Sequence, residues 1–172
     1  MIFAVVGMVS DAVCDDRKIA DEYAVKGVYL LNFAKFTEWP LGVPRRAEGV
    51  FRICSWKESP FTQLEAVVSR KQVGTLRVSL EKISSVLEIP RCDILFIQSA
   101  FAADTPKLRS PVEDAHTVLV TETDPKGMLH FLVNSEGEIG FECDLLSAQR
   151  GKIKFSSQLI SLAESVEGDI TP

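Results

Sequence analysis

Two histidines, His116 and His130, four cysteines at 14, 54, 92 and 143, and an acidic pair, Glu138 and Glu142, carry most of the chemical capacity of this sequence. A Ser–His–Asp hydrolase would have to use one of the histidines. His130 falls on the polar side of an expected strand, which predicts solvent exposure, and His116 opens another strand as a chance neighbour of Asp114. Glu138 and Glu142 point to one strand face, two pleats apart. Acid and base work across a cleft is one use of such a pair; protection of an open strand edge is the plainer one. No C-x-x-C spacing offers a zinc or redox site, and neither glycine-rich phosphate loop nor G-x-S-x-G elbow occurs. The sequence predicts no catalytic residue, no metal site and no cofactor.

The chain has 172 residues, a length that suits one domain with a sizeable core. Its formal net charge of −5, with Lys and Arg scattered or merely paired as in Arg45-Arg46 and Arg70-Lys71, predicts no nucleic-acid partner. Residues 1–14 contain the apolar run Ile2-Phe-Ala-Val-Val-Gly-Met-Val9 and read as the remnant of an export signal whose start is missing or misassigned. A short buried strand is the competing reading of that run, and Cys14 lacks the pattern of a lipoprotein site. Export would permit disulfides, and the four cysteines allow three pairings among which spacing does not choose.

The elements that must position these groups read as follows. Residues 15–168 form the expected domain and 169–172 a tail. A helix runs from Asp15 to about Trp39, with Val25, Val28, Leu31, Phe33 and Phe36 in its apolar arc and Pro40 as its stop. Lys26, Lys35, Asn32 and Glu38 make its polar side, and Glu22–Lys26 is an i,i+4 pair. Val50–Cys54 and Leu76–Leu80 alternate as strands, and a helix opens at Ser59-Pro60, with Phe61, Leu64, Val67 and Val68 as its stripe. Asp93–Gln98 and Thr117–Thr121 are continuous apolar runs, as in strands covered on both faces. A short helix lies between them near 104–110. Leu129–Val133 and Ile139–Asp144 then form an antiparallel hairpin, followed by a helix near 144–150. A last helix, capped by Ser156 or Ser157, carries Leu159, Ile160, Leu162, Ala163 and Val166. The fold class is α/β: a single domain, a mixed sheet with a parallel centre and an antiparallel C-terminal hairpin, helices on both faces.

The stretch Tyr29-Leu-Leu-Asn-Phe-Ala-Lys-Phe-Thr-Glu-Trp-Pro40 ends that first helix and is crowded with aromatics. Core packing is its plainest role; a partner surface is the other, because aromatics and Trp favour binding hot spots. It resembles the opening signature of the YfiR-like family of periplasmic proteins. Phe51-Arg-Ile-Cys54, Arg91-Cys-Asp-Ile-Leu-Phe-Ile97, Val118-Leu-Val-Thr121, Gly127-Met-Leu-His-Phe131, Ile139-Gly-Phe-Glu142 and Lys154–Ala163 resemble that family's later blocks in order, from about residue 20 to residue 165. Two departures are the shortened Asp124-Pro-Lys-Gly-Met128 segment and Cys143 in place of the usual Asn.

The resemblance implies an exported, non-enzymatic regulator. It implies as partner the periplasmic part of a membrane-bound diguanylate cyclase, repressed so that cyclic di-GMP falls, or of a sensor histidine kinase served by a small-molecule sensor. It is compatible with a homodimer. It also suggests a Cys54–Cys92 disulfide, which would leave Cys143 without a partner. Phe36, Glu38 and Trp39 in the aromatic stretch, and Glu142 in the hairpin, are the candidate partner-binding residues.

Overall fold

The computed structural model describes residues 10–43 and 48–168, with the side chains of the first helix described from Arg17 onward. Residues 1–9 of the expected export remnant, the Cys14 side chain, Arg45-Arg46 and the 169–172 tail lie outside the described residues. The described helices are α1 (Ser10–Lys35), α2 (Glu65–Val68), α3 (Thr105–Asp114), α4 (Leu145–Arg150) and α5 (Ser157–Ser161). The strands are β1 (Thr37–Glu38), β2 (Val50–Trp56), β3 (Gln72–Val73), β4 (Leu76–Ile83), β5 (Ile94–Ile97), β6 (Val118–Thr121), β7 (Leu129–Val133), β8 (Ile139–Asp144), β9 (Lys154–Phe155) and β10 (Ser165–Glu167). No described helix is long and apolar enough to cross a membrane.

Eight strands form one mixed sheet in the order β10-β8-β7-β6-β5-β2-β4-β3. The run β4-β2-β5-β6-β7 is parallel throughout, and β8 returns antiparallel to β7. All four residues of β5 and all four of β6 are buried, as in strands covered on both faces. α1 covers one face: the rings of Phe33 and Tyr29 meet Phe131 and Phe141, and Tyr23 meets Phe96 and Phe61. Leu108 and Val112 of α3 are buried in the same core. Within it Cys54 and Cys92 form a disulfide with Cα atoms 5.8 Å apart. Cys54 pairs with Leu95 across β2–β5, so Cys92 reaches it from just before β5.

The phase of α1 differs from the sequence reading. Tyr23, Lys26, Leu30, Phe33 and Thr37 lie toward the core, while Val25 and Val28 are 44% and 58% exposed. The helix turns so that its largest rings are buried, because each removes more apolar area from water than a valine does. Lys26, read as part of the polar side, is carried inward with them. Gly27 is in close contact with the α2 side: a Cβ there would lie 2.5 Å from Leu64 Cδ1.

α1 also ends before Trp39. Thr37 Oγ1 donates to Phe33 O at 2.6 Å, and Thr37–Glu38 then pairs antiparallel with Lys154–Phe155. The expected helix after Pro60 is a 3-10 turn over Thr62–Leu64 followed by the short α2, and Val67 is exposed rather than part of a buried stripe. The last helix is shorter than its apolar pattern. Ser156 caps it by accepting from Leu159 N, it stops at Ser161, and Ser165–Glu167 pairs parallel with Glu142–Asp144 instead. Leu162 and Val166 are exposed as a result. β8 is therefore an inner strand, and the hairpin is not the open sheet edge that its acidic residues suggested.

Candidate functional site

Numbered along the chain, the parallel strands β2, β4, β5, β6 and β7 stand in the order 2-1-3-4-5, so the direction of winding reverses between β2 and β5. A crevice forms outside the carboxyl ends of strands at such a reversal. Only residues 122–128 join β6 to β7, and Val120 and Thr121 pair with Leu129 and His130. β7 therefore starts where β6 ends and runs past it, which raises Leu132 and Val133 as a wall. The N-terminal half of α1 crosses above. Two openings result, of about 390 Å³ and about 610 Å³. Tyr23 and Gln98 line both and divide them.

The smaller opening contains a charge cluster. Lys26 Nζ donates to Glu22 and, at 2.9 Å, to Glu122 Oε1. Glu122 Oε2 accepts from Ser99 N at 2.9 Å, Ser99 Oγ at 3.0 Å and Tyr23 Oη at 3.4 Å. Lys26 also lies over the Tyr23 ring, 4.9 Å from its centroid. Burial opposes the Lys26 charge, but the hydrogen bonds to Glu22 and Glu122 outweigh it and hold its pKa above that of an ordinary lysine. Burial pushes the Tyr23 hydroxyl upward. An ammonium held above its usual range keeps its proton at neutral pH, and with a carboxylate whose two oxygens are both engaged it fastens elements together. Gln98 Nε2 donates to Tyr23 Oη at 3.3 Å, whereas Gln98 Oε1 is buried without a hydrogen-bond partner.

Beside the crevice, Trp56 Nε1 donates to Asp104 Oδ2 at 2.7 Å, and Lys57 and Lys107 pair with the same carboxylate. Lys107, Lys57 and Trp56 together hold Asp104 well below the usual carboxylate range.

The candidate partner-binding residues separate into two places. Phe36, Glu38 and Trp39 are brought together at the end of α1 and in β1, where Glu38 pairs with Lys154 and Phe36 O accepts from Ser156 N. Trp39 is half-buried, with its ring centroid 5.4 Å from that of Phe51, and Glu38 is exposed. The stretch is thus a core element whose end reaches the surface. Glu142 belongs to another network: it pairs with Lys126 and accepts from Ser165 Oγ at 2.8 Å. Those two bonds hold it below the ordinary carboxylate range, while Glu138 stays exposed.

His130 is buried, 9% exposed, and not on a solvent face. Its Nδ1 lies 2.9 Å from Thr121 Oγ1, which also accepts from Gly127 N at 2.8 Å. β10, beyond β8, and the 122–128 turn cover a face that strand alternation marked as wet. His116 Nδ1 lies 2.9 Å from Gly151 O. Cys143 is a buried free thiol, and burial pushes its pKa up to about 12. Among the described residues no group of His, Cys, Asp and Glu could hold a metal ion.

Sequence reasoning missed Glu122, Gln98 and the buried role of Lys26. The signal for Lys26 was present: it falls at helical spacing between Tyr23, Leu30 and Phe33, a lysine on an aromatic stripe. Glu122 had none, because its partners are 23, 96 and 99 residues away.

A family model described as YfiR/HmsC-like matches residues 23–164, well over half of the chain. No curated protein matches it. Among solved structures, the ABC domain in complex with L-Trp from Streptococcus pneumonia is similar at 13% identity, with a TM-score of 0.47 over 70% of this chain. This chain spans 56% of that one, and a likeness at that level carries no argument.

Proposed function

The chain belongs to the YfiR/HmsC-like family, and we propose on that premise that it is a periplasmic, non-enzymatic regulator that docks on a membrane signalling protein. The partner is the periplasmic part of a diguanylate cyclase, and docking lowers cyclic di-GMP. The family match carries this reading, since the family is regulatory and periplasmic. The Cys54–Cys92 bridge agrees with an oxidising compartment. The surface end of α1 and β1, with Phe36, Glu38 and Trp39, is the docking surface, and Glu142 is a secondary contact. Repression works by differential affinity: the regulator binds the inactive state of the cyclase more tightly and shifts its population.

Deleting the gene raises cellular cyclic di-GMP; unchanged levels would sink the cyclase reading. A pull-down from membranes with the wild-type protein recovers the cyclase, and Trp39→Ala with Phe36→Ala recovers less of it while keeping the wild-type circular dichroism spectrum. Equal recovery moves the docking surface elsewhere.

A second reading, a small-molecule sensor subunit for a sensor histidine kinase, is favoured by one observation. The crevice at the winding reversal is open, and Gln98 Oε1 is an unmet acceptor in its wall. Thermal shifts against a panel of small amines and carboxylates separate the two readings. A shift that Gln98→Leu abolishes supports the sensor, and no shift across the panel removes it.

A further inference from the structure

Thr121 and His130 are both buried, at 1% and 9% exposure, and their hydrogens can be assigned by counting. Thr121 Oγ1 has one proton and already accepts from Gly127 N. The arrangement that gives the Thr121 proton an acceptor has Thr121 donating to the unprotonated Nδ1 of His130, with the ring proton on Nε2. A proton placed on Nδ1 makes Thr121 Oγ1 accept from both His130 and Gly127, so the buried hydroxyl proton loses its acceptor and no other acceptor for it is found among the described residues. Gly127 adds rigidity, because a Cβ there would lie 2.6 Å from Leu119 O.

We propose that the His130–Thr121–Gly127 network is an acid-sensitive latch: protonation of His130 at Nδ1 reverses its bond with Thr121 and strands the Thr121 hydroxyl proton, which loosens the 122–128 turn and frees the β10 edge of the sheet. The link to β10 runs through Glu142, the direct cross-strand neighbour of His130. Glu142 is now held by Lys126 and by Ser165 of β10. The positive charge of an imidazolium at His130 competes for it, and β10 is only three residues long.

The groups around His130 give both signs of field. Asp124 and Lys126 lie on the turn, Glu142, Cys143 and Asp144 on β8, and Glu167 on β10; all but Asp124 line, with His130, a small recess of about 20 Å³. Asp124 and Glu142 favour the cation and Lys126 opposes it, but burial dominates and keeps the ring neutral below its ordinary value of 6.5. The latch therefore stays shut at neutral pH and opens in mild acid, which an exported protein meets directly.

The test uses the isolated full chain, so its outcome is independent of whether the partner is a cyclase. The His130 titration is followed by NMR, and amide hydrogen exchange, corrected for its intrinsic pH dependence, is followed in residues 122–128 and 165–167. In wild type His130 titrates below 6.5, and both segments exchange about ten-fold faster once it is protonated. Thr121→Val, which deletes the hydroxyl, raises the His130 midpoint toward 6.5, whereas Thr121→Ser leaves it in place. His130→Gln, which still accepts from Thr121, makes corrected exchange independent of pH. A wild-type midpoint at or above 6.5, or acid-induced exchange that persists in His130→Gln, overturns the latch. Should His130→Gln fail to fold, equal midpoints in Thr121→Val and Thr121→Ser overturn it instead.

Discussion

Lys26 Nζ lies 2.9 Å from Glu122 Oε1 across 96 residues of chain, and the two side chains are only 6% and 5% exposed. One ion pair thus fastens α1 to the turn after β6, at the mouth of the crevice. A buried pair is costly to break from one side, because the remaining charge is left unsolvated. Lys26→Met should cost about 3–5 kcal/mol, read as a lower denaturant midpoint. Combining it with Glu122→Gln should cost less than the sum, with a coupling on the order of 0.5–3 kcal/mol. Additive single costs would show that the pair is not an anchor.

The Cys54–Cys92 bridge closes a segment of 38 residues. On the chain-entropy model that loop length corresponds to about 4 kcal/mol at room temperature. Cys54→Ala with Cys92→Ala, or reduction of the wild type, should lower stability by that order. Equal midpoints for oxidised and reduced protein would contradict it, and mass mapping that finds both thiols free in exported protein would remove the bridge itself.

Glu142 contributes a pH dependence whose sign is fixed by its partners. Lys126 and Ser165 hold its carboxyl below the ordinary 4.5, so the folded state binds its proton less readily than the unfolded state does. Its stabilising contribution is present above about 4.5 and is lost as pH falls from there through the depressed folded value. Glu142→Gln should flatten the stability–pH curve in that acid window and leave the curve near neutrality parallel to wild type. An unchanged acid limb would show that the Lys126 pair is solvated away.

Gly127 and Gly137 should respond differently to alanine. At Gly127 the obstacle is the Leu119 carbonyl, 2.6 Å from a built Cβ, and backbone cannot step aside as a side-chain tip can. Gly127→Ala should cost about 1–3 kcal/mol or more through overpacking. Gly137 has open space but a φ of +80°, so its alanine variant bears only local strain, about 1 kcal/mol. Thermal denaturation of the two variants orders them; the reverse order would place the close contact elsewhere.

Much of this fold is legible in local pattern. The apolar runs at Ile94–Ile97 and Val118–Thr121 suit strands covered on both faces, which they are, and the Asn134–Gly137 turn fixes the hairpin: Asn134 Oδ1 accepts from Glu136 N and Glu138 N. The short strands β1, β3, β9 and β10 were not legible, because two or three residues carry no period. Of the candidate site, the aromatic stretch was visible, but its orientation was not.

The sequence by itself determined the six longer strands, the presence of an aromatic first helix, and the family to which both point. Local periodicity and turn chemistry act over a few residues, so they survive without knowledge of the rest. Tertiary structure decided the rotation of α1, the partners of Lys26, the burial of His130 and the pairing that makes β8 an inner strand. Each of those depends on contacts between residues far apart in the chain, where the free energy of a ring, an ammonium or an imidazole is set by what the fold places against it.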